Sequence, residues 1–149
     1  MINIRSGAFE TNSSSVHALC ISNDKHLIIP YHVVLRGGDF GWNDEEVWCN
    51  MDYLYQACLD VGKEQLLFDF LDKHNISWER YSDDNIGYVD HADALDLTDL
   101  FSDENRLLRF LFGGKSFVKL GNDNYTTYDE FEKWEHRLSD DLEVVWKGN

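Results

Sequence analysis

The chain has 149 residues, with 28 acids against 13 lysines and arginines and a net charge of −15. Such a field repels DNA, RNA and anionic lipid and attracts basic protein surfaces, which disfavours direct nucleic-acid or membrane-surface binding. Hydrophobic residues at 43% and aromatics at 14% exclude a generally disordered chain. One acidic domain over residues 1–149 is expected, with no disulfide or metal staple required.

The longest apolar runs, such as Leu27–Pro30 and Val33–Leu35, are too short to cross a bilayer. Met1–Arg5 lacks the apolar core of a signal peptide, so a cytoplasmic location is expected. Cys20, Cys49 and Cys58 are odd in number, lack C-x-x-C spacing and have apolar neighbours. They read as buried thiols in a reducing compartment.

In chain order, Ile2–Arg5 alternates like a strand and Gly7–Ser15 breaks the pattern. Val16–Ser22 resumes it, and Asn23-Asp24 marks a turn. His26–Ile29 and Tyr31–Arg36 are further expected strands, separated by Pro30, and a glycine-rich loop runs from Gly37 to Trp42. Asn43 and Glu46 have capping-box spacing for a helix carrying Val47, Met51, Leu54, Cys58 and Val61, stopped by Gly62. Leu66, Leu67, Phe70 and Leu71 mark a second helix ending near His74-Asn75, and Ile76–Trp78 a short strand. Ile86–Val89 reads as a strand and Ala92–Phe101 as a helix or turn. Ser102 is expected to cap a helix that Gly113-Gly114 stops; Ser116–Leu120 is a strand and Gly121–Asn124 a turn. Thr127-x-x-Glu130 opens a last helix with Phe131, Trp134 and Leu138 inward, and Leu142–Trp146 closes as a strand. The expected class is α+β: a mixed or antiparallel sheet with about four helices packed on it.

The densest chemistry lies in Arg5-Ser-Gly-Ala-Phe-Glu-Thr-Asn-Ser-Ser-Ser-Val-His17. Arg5, Gly7, Phe9–Ser15 and His17 make an R-x-G-x-F-E-T-N-S-S-S-x-H pattern, which resembles a family of small phage and mobile-element proteins. Gly38-Asp-Phe-Gly-Trp42 and Gly121-Asn-Asp-Asn124 are weaker marks of the same resemblance. It implies an accessory viral or mobile-element protein and transfers no catalytic assignment.

Three readings of the motif stand side by side. Asn and Ser can satisfy turn backbone locally while Arg5 pairs with Glu10. Arg5, Asn12, Ser13, Ser14, Ser15 and His17 can instead line an anion or nucleotide site, with Arg5 neutralising a phosphate. A serine with His17 as base is the third, although no third member of a triad is identifiable. Asp90-His91-x-Asp93, joined by His74 or His32, has metal-ligand chemistry but weak spacing, and solvated loop residues are the better account. The Gly37–Gly41 glycines match no phosphate-loop or dinucleotide fingerprint; a turn presenting Phe40 and Trp42 to the core is expected. No cofactor or metal is assigned.

The acids are unevenly spread. Gly37–Gly62 has six acids and Tyr81–Asn105 eight, neither with a lysine or arginine. Residues 123–143 add eight more against Lys133 and Arg137. Asp90, Asp93, Asp96 and Asp99 recur every third residue and on a helix would form a drifting polar stripe. Charge runs are usually solubilising surface. Dense carboxylates with few cations also satisfy the composition of a DNA mimic, since duplex DNA carries about one charge per 1.7 Å of axis. On that reading Asp90, Asp93, Asp96, Asp99, Asp103 and Glu104 contact the basic surface of a host nucleic-acid-binding factor, such as a CRISPR-type nuclease. The different-class alternative is a nucleotide-binding or nucleotide-handling protein using the N-terminal motif.

Overall fold

The computed structural model describes residues 15–23, 26–41, 45–81, 87–89, 92–122 and 142–148. Its elements in chain order are β1 (Ser15–Ser22), β2 (His32–Leu35), β3 (Glu45–Val47), α1 (Asn50–Val61), α2 (Glu64–Lys73) and β4 (Ser77–Arg80). A 3-10 turn at Ala92–Ala94 follows, then α3 (Leu97–Ser102), α4 (Glu104–Phe112), β5 (Phe117–Asn122) and β6 (Leu142–Gly148). The expected α+β class, with helices packed on sheet, is what the chain adopts.

Four strands form an antiparallel sheet in the order β3-β5-β1-β6, and β2 pairs with β4 in a separate parallel ribbon. β1 sits between two partners, with His17 opposite Leu120 and Leu19 opposite Val118. On its other side Leu19 faces Trp146 but Cys20 faces Val144, a bulge that bends the β6 edge. Every residue from His17 to Ser22 is buried, so β1 is covered on both faces. This is why its sequence lacks a clean apolar–polar alternation.

One apolar cluster joins Leu19 and Ile21 of β1, Tyr53, Leu54 and Cys58 of α1, Leu67 and Leu71 of α2, and Leu107 and Phe110 of α4. Each fully buried large side chain of this kind contributes about 1.5–3 kcal/mol relative to exposure. Gly62 ends α1 at φ 72, and its N–H reaches the Leu59 carbonyl at 3.2 Å. That left-handed cap is the stop expected from the sequence. Gly87 has a different reason to be glycine: a Cβ there would lie 2.0 Å from the Gly38 carbonyl oxygen.

Several local expectations are corrected. Val47 lies in β3 opposite Val118, and α1 begins only at Asn50. Val47 and Met51 have helical spacing, but exposed Glu45 and Glu46 followed by buried Val47 suit an edge strand. His26–Ile29 is not a strand: Leu27 makes a single bridge to Gly113, while Ile28 and Ile29 are exposed. Apolar content without a partner strand does not make a ladder, and Pro30 has no N–H to offer one. Ser102 ends α3, its Oγ donating to the Asp99 carbonyl at 2.6 Å, and Asp103 caps α4 instead. Gly121 and Asn122 continue β5, paired with Val16 and Ser15, instead of turning. Cys20 and Cys58 are buried as expected, but Cys49 is exposed at the entrance to α1. Burial pushes the Cys58 thiol up to about 12. The expected Ile2–Arg5 strand, the Asn43 cap, Trp42, Ile86 and the helix from Thr127 to Leu138 lie outside the described residues.

Candidate functional site

The acids at the α3–α4 junction are placed by helix ends. The carboxylate of Asp96 accepts from the Asp99 N–H at 3.0 Å and starts α3. Asp103, in extended conformation, accepts from the Arg106 N–H at 3.1 Å and starts α4. Aspartate is favoured at such positions because it satisfies an N–H the helix leaves unpaired and carries charge of the right sign for the helix dipole. Asp93 lies in the 3-10 turn and Asp99 in α3, so these acids do not share one helix and the conditional polar stripe does not form. Leu95, Leu97 and Leu100 turn inward between the acids, and Asp93, Asp96, Asp99 and Asp103 remain exposed.

Two cations enter this face. Arg106 Nη2 donates to Asp99 Oδ2 at 3.2 Å and to the Asp99 carbonyl at 3.1 Å. Lys73, from the end of α2, lies 2.7 Å from Glu104 Oε2, and His74 Nε2 lies 3.9 Å from its other oxygen. The Lys73 ammonium, hydrogen-bonded to Glu104, holds that carboxyl below the ordinary glutamate value, with His74 adding to the effect. Leu66, Asp69, Phe70, Lys73, Phe101 and Glu104 line a groove of about 180 Å³. A second hollow shares Lys73, Phe101 and Glu104 and adds Ser102, Asp103 and Asn105. Asp69 was not among the expected site residues. Its local signal is an i,i+4 hydrogen bond from Gln65 at 2.8 Å, and only the packing of α2 beside α3 and α4 brings it to the acidic face.

The N-terminal motif has a different fate where it is described. His17 is 1% exposed, and its Nδ1 lies 2.9 Å from the Tyr53 hydroxyl. Tyr53 is fully buried, which pushes its hydroxyl well above the usual tyrosine range, and its ring meets Phe40 edge-on at 5.6 Å. This imidazole joins β1 to α1 inside the core instead of opening to solvent. Ser15 begins β1, opposite Asn122; Arg5, Asn12, Ser13 and Ser14 lie outside the described residues.

The glycine-rich loop is also held by α1. Gln56 accepts from the Gly38 N–H at 3.1 Å and donates to the Gly87 carbonyl at 2.9 Å, while Asp60 accepts from the Val89 N–H at 2.6 Å. Phe40 is thereby turned into the core, as expected. Of the residues considered for a metal, Asp90 and His91 lie outside the described residues. His32 contacts Ser77 at 2.7 Å and His74 packs on Phe70, so the two histidines serve separate local contacts. Among the described residues no cluster of three or more His, Cys, Asp or Glu is arranged to hold a metal, and no helix is long and apolar enough to cross a membrane.

Comparison of the chain with protein-family models, curated proteins and solved structures returns no match.

Proposed function

We propose that the protein binds a basic surface of another protein through the acidic face formed by Asp93, Asp96, Asp99, Asp103 and Glu104, with Asp90 as its sequence neighbour. The observation that carries this reading is the fixed exposure of the carboxylates. Asp96 and Asp103 are held in place by backbone N–H groups yet stay open to solvent. Preorganised carboxylates cost little ordering on association, and a predominantly negative face steers encounter with an oppositely charged patch. Taken with the resemblance of the N-terminal motif, the partner class is a host nucleic-acid-binding defence factor, such as a CRISPR-type nuclease. The protein then acts as a phage or mobile-element inhibitor in the host cytoplasm, occupying a basic cleft in place of DNA.

The test must separate charge from helix capping. Asparagine caps a helix nearly as well as aspartate, so Asp93→Lys combined with Asp96→Asn and Asp103→Asn removes charge and spares the caps. Host lysate is passed over the wild-type chain and the triple variant at increasing salt, and retained proteins are identified. A basic partner that elutes from the wild type as salt rises, and is lost from the variant, is expected. Equal retention by a folded triple variant would falsify the acidic-face reading.

A further inference from the structure

A second surface has the opposite chemistry. Ile28, 78% exposed, and Trp48, 56% exposed, stand at a groove of about 380 Å³ whose lining also includes Pro30, Leu111, Phe112 and Gly114. Tyr31, 86% exposed, extends the same loop. Single exposed apolar residues need no explanation, but their grouping around a concave apolar groove is the pattern of a binding site. One wall is set by an aromatic contact, because the Trp48 ring packs at a tilt against that of Phe117, 4.9 Å between centroids. Asn50 lines the groove as well and is only 4% exposed. Its Nδ2 donates to the Phe110 and Ser116 carbonyls, both at 2.8 Å, which fixes the orientation of the amide. Its Oδ1 is buried and receives no hydrogen bond from the described residues.

We infer that this groove seats an apolar side chain of a partner protein segment that carries lysine or arginine on either side of it. The basic character of that partner rests on the acidic-face reading; the apolar anchor rests on the groove itself. Charge selects the occupant. A second copy of the chain would bring −15 against −15, and nucleic acid or anionic lipid would be repelled in the same way. Glu45, exposed and just before Trp48 in the chain, gives a flanking cation a counter-charge, whereas Glu46 already lies 3.8 Å from the Lys119 ammonium. The two surfaces divide the work of binding: exposed carboxylates accelerate encounter, and a desolvated apolar anchor slows release.

The experiment titrates the full-length, isotope-labelled chain with nonapeptides and follows amide shifts by NMR. The first peptide has a central leucine flanked by lysines, the second replaces leucine by glycine, and the third replaces the lysines by glutamates. The expected result is saturable shifts at Ile28, Trp48 and Gly114 with the first peptide alone. Ile28→Asp, at a position too exposed to matter to the core, should weaken them about tenfold or more. Trp48→Ala should do the same from the other wall. Absence of shifts, or equal binding of the glycine-centred or glutamate-flanked peptide, overturns the proposal. Shifts confined to Asp96–Asp103 overturn it while leaving the acidic-face reading intact. Self-association that Ile28→Asp abolishes would assign the groove to a second copy and likewise overturn it.

Discussion

β1 and the α3–α4 junction both interleave polar with apolar residues, and the fold sends their polar groups in opposite directions. In β1, His17 is buried and spans to Tyr53, and the Ser22 N–H is met by Ser116 Oγ at 2.8 Å. At the junction, Asp96 and Asp103 use a carboxylate oxygen for a helix end while the side chain stays exposed. The cause lies in the neighbours. β1 is a central strand with both faces covered, so a polar group there must find a partner inside or cost stability. The junction is a surface turn, where an ionised group keeps most of its hydration. Polar residues of the first kind stabilise the fold, whereas those of the second kind can serve both a cap and a partner.

Three measurements would break or sharpen this contrast. The largest effect is expected from Tyr53→Phe, which removes the hydroxyl facing His17 at 2.9 Å inside the core. A loss of about 1–3 kcal/mol in denaturant unfolding is predicted from leaving a buried polar group poorly satisfied. A change under about 0.5 kcal/mol, the usual surface value, would place His17 and Tyr53 among incidental contacts. Next comes Asp103→Ala, predicted to cost about 1 kcal/mol by removing the α4 cap, with Asp103→Asn recovering most of it. If asparagine were as damaging as alanine, the carboxylate would be acting through charge and not through its bond to the Arg106 N–H.

The smallest effect concerns pH. Lys73 holds the Glu104 carboxyl below its ordinary value. A lowered folded-state pKa means stability that is present above the unfolded glutamate pKa, about 4.3, and is lost as pH falls through the folded value. Wild type should therefore exceed Glu104→Gln slightly near neutrality, and the gap should close below about pH 4. A gap that widens on acidification would contradict the pairing. Screening of an exposed pair keeps the difference small, and salt should reduce it.

Composition and local pattern determined the α+β class, the strands at Val16–Ser22 and Tyr31–Arg36, the helix ending at Gly62, and the acidity of the Tyr81–Asn105 stretch. These follow from short-range physics: side-chain period, the left-handed freedom of glycine and net charge. What the sequence could not determine depends on distant partners. Val47 became a strand because Val118 lies beside it, and Ile28 and Ile29 stayed exposed because no strand among the described residues joined them. His17 belongs to the core because α1 places Tyr53 against it, although its motif can also be read as an anion or nucleotide site. Asp69 joins Glu104 at one groove across the packing of α2 on α3 and α4. Whether a polar side chain is spent inside or offered outside is set by which elements cover it, and that is a property of the tertiary fold alone.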